Sequence, residues 1–134
     1  MTDAPTTDAV SVDGVVDVYF AAWNAAPTDR PLAVAEAFTP DAYYCDGAAE
    51  ATGHDQIEAM MTGVFEQFEG ASFALASPID THHRQARFAW RMSGPDGSTV
   101  VDGIDAIRFT DDGRISTALG FFGVGLPDPD AETS

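Results

Sequence analysis

A carboxylate that falls on the apolar face of a predicted strand is the first candidate for chemistry in this sequence. The segment Val100 to Ile115 alternates with a two-residue period that places Asp105 on the same face as Val101, Ile107 and Phe109. Burying a carboxylate without a partner costs several kcal/mol unless specific donors satisfy it or it takes up a proton. With no evident cationic partner, desolvation predicts a raised pKa that leaves Asp105 protonated near neutral pH.

Two further polar residues could work with Asp105 in acid–base chemistry. Asp46 stands before Gly47 in a predicted turn after a short strand, and Tyr19 lies on the apolar stripe of an amphipathic helix. Each also has a structural explanation. Asp46 can organise its own turn through local hydrogen bonds, and a buried Tyr19 hydroxyl can simply pair with an acceptor.

Three helices and a series of strands must position these residues. The first helix follows Ser11 as N-cap, the second has Pro31 in its first turn, and the third runs from Thr52 to Gly70. The second half of the chain changes to a two-residue period, with turns at "SGPDGS" and "DDG". Helices followed by antiparallel strands predict an α+β domain in which a curved sheet wraps around the helices.

Length and composition predict one globular domain. The chain has 134 residues, of which 45% are hydrophobic, and no apolar run is long enough to cross a membrane. We expect a domain over residues 11–125, flanked by flexible tails at 1–10 and, rich in acidic residues, at 126–134. The start of the chain does not resemble a signal peptide, which predicts a cytoplasmic protein. Cys45 and the three histidines lack ligand spacing, so no metal site is predicted.

The charge of the chain is strongly negative. It has 22 acidic and 6 basic residues, all of the latter arginine, and a net charge of -16. Because such a field repels phosphate backbones, we expect no nucleic-acid partner. Adaptation to a salty cytoplasm and the codon bias of a GC-rich genome both explain this composition.

Several short segments together resemble one protein family. The segments "YFAAWNAAPTD", "YYCDG", "TGHDQIEAMM" and "GIDAIRFTDDGRI" are similar, in their order, to the nuclear transport factor 2-like superfamily, in its SnoaL-like and ketosteroid-isomerase-like branch. The resemblance extends from about Val12 to Val124. It implies a cone-shaped, curved mixed sheet around three helices that encloses an apolar pocket, and a homodimer formed through the outer face of the sheet.

The resemblance also implies roles for the polar residues. Asp46 matches the base that removes a proton beside a carbonyl, while Tyr19 and a protonated Asp105 match the donors to the oxygen that becomes negative. The expected function is an isomerase, cyclase or lyase that acts without a cofactor on a small apolar carbonyl compound. The alternative is a module of the same fold that binds an apolar ligand or a partner protein without turnover.

The apolar pocket is expected to be formed by bulky residues. Those predicted to contact the substrate are Trp23, Met60, Phe65, Phe68, Phe88, Trp90 and Phe121. The bulk of five residues disfavours a steroid as substrate: Met60, Met61, Phe65, Phe68 and Trp90. An epoxide hydrolase of the limonene type would need an arginine where this chain has Gly103, so that activity is not expected.

Overall fold

Three helices lie against one curved, seven-stranded sheet in the computed structural model, which describes residues 11–123. The helices are α1 (Val12–Asn24), α2 (Arg30–Ala37) and α3 (Gly53–Gln67). The strands are β1 (Phe38–Cys45), β2 (Glu50–Thr52), β3 (Ser72–Leu75), β4 (Asp80–His82), β5 (Gln85–Ser93), β6 (Thr99–Phe109) and β7 (Ile115–Phe122). The predicted fold class, α+β with a curved sheet around three helices, is confirmed.

The sheet is mixed because one of its pairs is parallel. Its strand order is β2-β1-β7-β6-β5-β3, and β4 pairs with the same strand, β5, as β3 does. β1 runs parallel to β7, whereas the other pairs are antiparallel. This order puts β6, which carries Asp105, at the centre of the sheet, where both its edges are paired.

Helix α1 supplies one wall of the core. Ser11 caps its N-terminus by accepting a hydrogen bond from the Gly14 N–H at 3.4 Å. Its buried residues recur at helical spacing and face the sheet: Val15, Val16, Tyr19, Ala22 and Trp23. The amphipathic stripe therefore brings the Tyr19 hydroxyl to the inner face of the sheet.

Strand β7 contains an irregularity that changes which side chains face inward. Arg108 and Phe109 of β6 pair with Thr117 and Ile115, so β7 holds one extra residue, Ser116, at this point. Ile115 is buried before the bulge, and Ala118 and Gly120 are buried after it. An extra residue reverses the parity of the alternation, so the inner side chains of the second half of β7 are those at even positions.

The sequence predicts a flexible tail at each end of the chain. The tails predicted at 1–10 and 126–134 lie outside the described residues, as do the last two residues of the predicted domain. Within residues 11–123, none of the helices is both long and apolar enough to cross a membrane.

Candidate functional site

A cavity of about 410 Å³ lies between the helices and the inner face of the sheet. Side chains from α1, α3, β3, β5, β6, β7 and the end of β1 form its walls. The residues that line it are Tyr19, Phe20, Trp23, Tyr44, Asp46, Ala48, Ala49, Met60, Val64, Gln67, Phe68, Phe73, Trp90, Met92, Val100, Val101, Asp105 and Phe122. The cavity is thus mainly apolar and aromatic, with two carboxyl groups.

Asp105 is buried and accepts a hydrogen bond on each carboxyl oxygen. The residue is 6% exposed, as the alternation of β6 predicts. The Tyr19 hydroxyl donates to Oδ2 at 2.6 Å, and the Trp90 indole N–H donates to Oδ1 at 2.8 Å. Both donors are neutral, so the carboxyl group is held in a fixed orientation without a salt bridge.

The environment of Asp105 shifts its acidity toward neutral pH. The pKa of Asp105 is raised from 3.8 to about 6: burial raises it most, the hydrogen bonds from Tyr19 and Trp90 partly offset this effect, and the charge of Asp46 adds to it. The direction agrees with the sequence-based expectation. The expected protonated state at neutral pH does not follow, since a group with a pKa of about 6 is mostly ionised there. The expectation did not include the two hydrogen bonds, which stabilise the charged form.

Asp46 organises the turn between β1 and β2 and also lines the cavity. Its Oδ1 accepts hydrogen bonds from the N–H groups of Ala48 and Ala49 at 2.8 and 2.9 Å. Its Oδ2 accepts one from the Tyr44 hydroxyl at 2.5 Å. Asp46 therefore organises its own turn, as the structural explanation predicts, and it also lines the cavity.

Gly120 allows the two carboxyl groups to approach each other. It is the cross-strand partner of Asp105 on β7. A Cβ at this position would lie 2.7 Å from Asp105 Oδ1 and 3.1 Å from the Asp46 Cβ. No side chain other than hydrogen fits there, and the two acids consequently share one end of the cavity.

The two tyrosines that hydrogen-bond these acids are held in their neutral form. Burial raises the pKa of Tyr19 well above 10.0, and the neighbouring Asp105 adds to the effect. Burial and the same carboxylate, together with the hydrogen bond to Asp46, raise the pKa of Tyr44. Both phenols therefore keep their protons near neutral pH and can act as donors.

Most of the residues predicted for the site meet in this cavity. Asp46, Tyr19, Asp105, Trp23, Met60, Phe68 and Trp90 all line it. Three other predicted contact residues do not. Phe65 packs on Phe73 and under the Arg30 guanidinium, and Phe88 is buried against Tyr19 and Phe20.

The third of these, Phe121, lies on the outer face of the sheet and is 65% exposed. Its neighbour Phe122 lines the cavity instead. The bulge at Ser116 is the cause, because strict alternation from Ile115 assigns Phe121 to the inner face. A bulge of this kind leaves no clear mark in a single sequence.

Tyr44 is a site residue that the sequence analysis missed, although a signal was present. It stands two residues before Asp46, and residues at this spacing share one face of a strand. The role of Trp90 as a donor was also missed. Because a buried indole N–H needs an acceptor, the pairing of β5 with β6 could have suggested Asp105.

The ring of Trp90 occupies the space beside Gly103, its cross-strand partner. A Cβ at Gly103 would lie 2.5 Å from that ring and 2.3 Å from the Phe121 carbonyl oxygen. An arginine, which the epoxide hydrolase alternative needs at this position, has no room. Among residues 11–123, no group of three or more His, Cys, Asp or Glu side chains could hold a metal ion.

Comparison with known proteins identifies the family. The model of the SnoaL-like domain family matches residues 16–118. The chain therefore belongs to the SnoaL-like family of the nuclear transport factor 2-like superfamily, as the sequence resemblance predicted. No match is found among curated proteins.

Solved structures share the same fold. A proposed isomerase of the SnoaL-like family from Agrobacterium tumefaciens is 32% identical, with a TM-score of 0.78, and the match covers 82% of this chain and 95% of that one. A proposed polyketide cyclase from Sinorhizobium meliloti is 24% identical, with a TM-score of 0.61, over 80% of this chain and 93% of that one. A protein with a ketosteroid isomerase-like fold from Catenulispora acidiphila, solved in complex with trimethylamine, is 19% identical, with a TM-score of 0.68, over 81% and 85%.

Proposed function

We propose that the cavity catalyses proton transfer on a small carbonyl compound, with Asp105, Tyr19 and Asp46 as its catalytic residues and without a cofactor. The observation that carries this proposal is the buried carboxyl group of Asp105, oriented by two neutral donors in a cavity that also holds a second carboxyl group. A structural carboxylate does not need a cavity, and an apolar binding pocket does not need two acids.

Asp105 is the group best suited to remove the proton. A general base works best when its pKa lies near the operating pH, and burial raises the pKa of Asp105 to about 6. Both oxygens of Asp46 are engaged by hydrogen bonds, two from the turn and one from the Tyr44 hydroxyl, so neither is free to take a proton from a substrate unless one of these bonds breaks. This assignment gives Asp105 the role of base that the sequence resemblance implies for Asp46.

The step itself requires only groups present in the cavity. The Asp105 carboxylate takes a proton from the carbon beside the carbonyl, and the C–H electron pair moves to form the enolate. Once Asp105 is protonated, the Tyr19 hydroxyl is no longer needed as a donor to it and can donate to the enolate oxygen. The protonated Asp105 can then return its proton to the same or a different carbon of the enolate, which regenerates the carboxylate, while Asp46, on the other side of Gly120, keeps its hydrogen bonds.

Proton exchange in D₂O tests this proposal without knowledge of the natural substrate. The loss of α-proton NMR signals of small ketones such as butanone and cyclopentanone is followed with and without the protein. Asp105→Asn should abolish the protein-dependent exchange. Asp102→Asn is the matched control, because it makes the same change on the same strand but does not line the cavity.

The pH dependence of the exchange distinguishes the two assignments. If Asp105 is the base, the rate rises as the pH rises through about 6 and then levels off, because the active form is ionised. A rate that falls over the same range would make Asp105 the donor and Asp46 the base. Exchange that is unchanged in Asp105→Asn would contradict the catalytic proposal and favour a binding module.

We also propose that two copies of the chain associate through the outer face of the sheet. Phe121 and Leu119 are exposed on this face, next to a groove that contains Arg87 and Arg108. Phe121→Glu should convert a dimer into a monomer in light scattering. Leu32→Glu, at a residue that is 67% exposed on α2, should not. A parent protein that is monomeric at high concentration would contradict this proposal.

A further inference from the structure

The negative charge of the cavity is not balanced by a positively charged residue among the described residues that line it. Asp46 and Asp105 are the only charged residues in the described lining, which contains no arginine, lysine or histidine. The buried Arg30 is engaged elsewhere, because it donates to Thr62 and lies over the Phe65 ring. With a bound neutral molecule, the two acids at one end of an apolar space would remain uncompensated.

Five of the lining residues form a continuous series of aromatic rings. Tyr44, Trp23, Phe73, Trp90 and Phe122 follow one another with centroid separations of 6.0, 4.8, 5.9 and 6.3 Å. The faces of such rings carry partial negative charge and attract a cation within about 6 Å of their centroids, most strongly when water is excluded. Alkylated ammonium groups fit such a surface best, since their methyl groups also pack against apolar rings.

We propose that the cavity selects substrates that carry a substituted ammonium group, which lies among the aromatic rings near Asp46 while the reacting carbonyl faces Tyr19 and Asp105. This inference deepens the proposed function and rests on it for the claim that the bound molecule is turned over. The claim that the cavity prefers an organic cation rests on its own charge and walls.

The charge of the substrate would also make the proposed reaction easier. Removal of a proton by Asp105 creates an enolate beside Asp46, and two like charges in an apolar cavity repel each other. A substrate with one positive group has a net charge of zero, and not -1, after it loses the proton. The ammonium group then lies near both the enolate and Asp46, which reduces the charge of this group of atoms from -2 to -1.

The overall negative charge of the protein also favours a cationic substrate. The net charge of -16 lowers the potential around the molecule and raises the local concentration of cations. A cationic substrate is therefore attracted toward the cavity, whereas an anionic one is repelled.

A pair of ligands that differ only in charge tests this proposal. Choline is compared with its uncharged carbon isostere, in which a tert-butyl group replaces the trimethylammonium group, at constant ionic strength. Binding to the full chain is measured by NMR titration. We expect choline to bind about tenfold more tightly, since cation–π contacts and two carboxylates favour it alone.

Variants separate the cavity from the general field. Asp46→Asn keeps the acceptor for Ala48 and Ala49, so the turn should survive, and the preference for choline should fall severalfold. Asp102→Asn removes the same charge from outside the cavity and should leave the preference intact. Equal binding of both ligands, no binding of choline, or an equal loss in both variants would overturn the proposal.

These results are independent of the exchange experiment. Exchange of ketone protons together with no preference for choline would leave the proposed function standing and remove the substrate class. A clear preference for choline with no exchange on any carbonyl compound would leave a cation-binding cavity without the proposed catalysis.

Discussion

At Asp105, burial and hydrogen bonding act on the same carboxyl group in opposite directions. Burial destabilises its charged form, whereas donation by Tyr19 and Trp90 stabilises it, and burial is the larger effect. The result is a carboxyl group that can gain or lose a proton near neutral pH while its orientation stays fixed. The ionised form of Asp105 therefore lowers the stability of the folded protein.

That cost predicts a more stable variant. The pKa of Asp105 rises from 3.8 in the unfolded chain to about 6 in the folded protein. The contribution of this group to the free energy of unfolding is therefore complete below about pH 3.8 and is lost as the pH rises through about 6. The loss amounts to roughly 3 kcal/mol once the group is ionised. We expect Asp105→Asn to raise the free energy of unfolding at about pH 8, and the gain to disappear near pH 4. Denaturant titrations of both proteins at the two pH values measure this, and a variant less stable than its parent at the higher pH would contradict the account.

At the scale of the elements, the close packing of β5, β6 and β7 determines the shape of the site. Gly103 leaves room for the Trp90 ring, and Gly120 leaves room for the Asp105 carboxyl group. Both glycines are needed for close approach between neighbouring strands. A helix glycine such as Gly63, where a methyl group would meet nothing within 4 Å, has no such role.

These two kinds of glycine predict opposite effects of the same substitution. Gly103→Ala places a methyl group 2.3 Å from a backbone oxygen and should lower the free energy of unfolding by at least about 2 kcal/mol. Gly63→Ala, at an exposed position in α3, should raise it by roughly 0.5–1 kcal/mol because alanine favours the helix. Thermal and denaturant unfolding of the two variants measure both effects. A tolerated alanine at Gly103 would mean that strand β6 does not hold the Trp90 ring in place.

The elements also show what the sequence can predict and what it cannot. The inner face of β6 and the buried stripe of α1 follow from periodicity, and both are found as predicted. The position of Phe121 was not predictable, because one extra residue in β7 reverses the alternation. The donors to Asp105 were not predictable from β6 alone, since Tyr19 is 86 residues away along the chain.

At the scale of the whole molecule, the acidic composition affects stability as well as the attraction of cations. Among the residues described, the ion pairs found are Arg84 with Asp111 and Arg87 with Asp80, and all four side chains are exposed. Pairs of this kind contribute little in water. With a net charge of -16, repulsion between carboxylates outweighs them at low ionic strength.

The melting temperature should therefore rise with salt. Added ions screen the repulsion between surface carboxylates, and this stabilises the compact state. Differential scanning fluorimetry in increasing sodium chloride measures the effect, with potassium chloride as a check for ion-specific binding. A melting temperature that does not change from low to high salt would remove adaptation to a salty environment as the explanation of the composition.

The most direct test of the central claim is the titration of Asp105 itself. Its carboxyl carbon signal is assigned by comparison with Asp105→Asn and followed by NMR across pH. We predict a midpoint near 6, and a lower midpoint in Asp46→Asn, because the neighbouring negative charge is removed. A midpoint near 4 in the parent protein would show an ordinary, structural carboxylate and would contradict the proposed role of Asp105 in proton transfer.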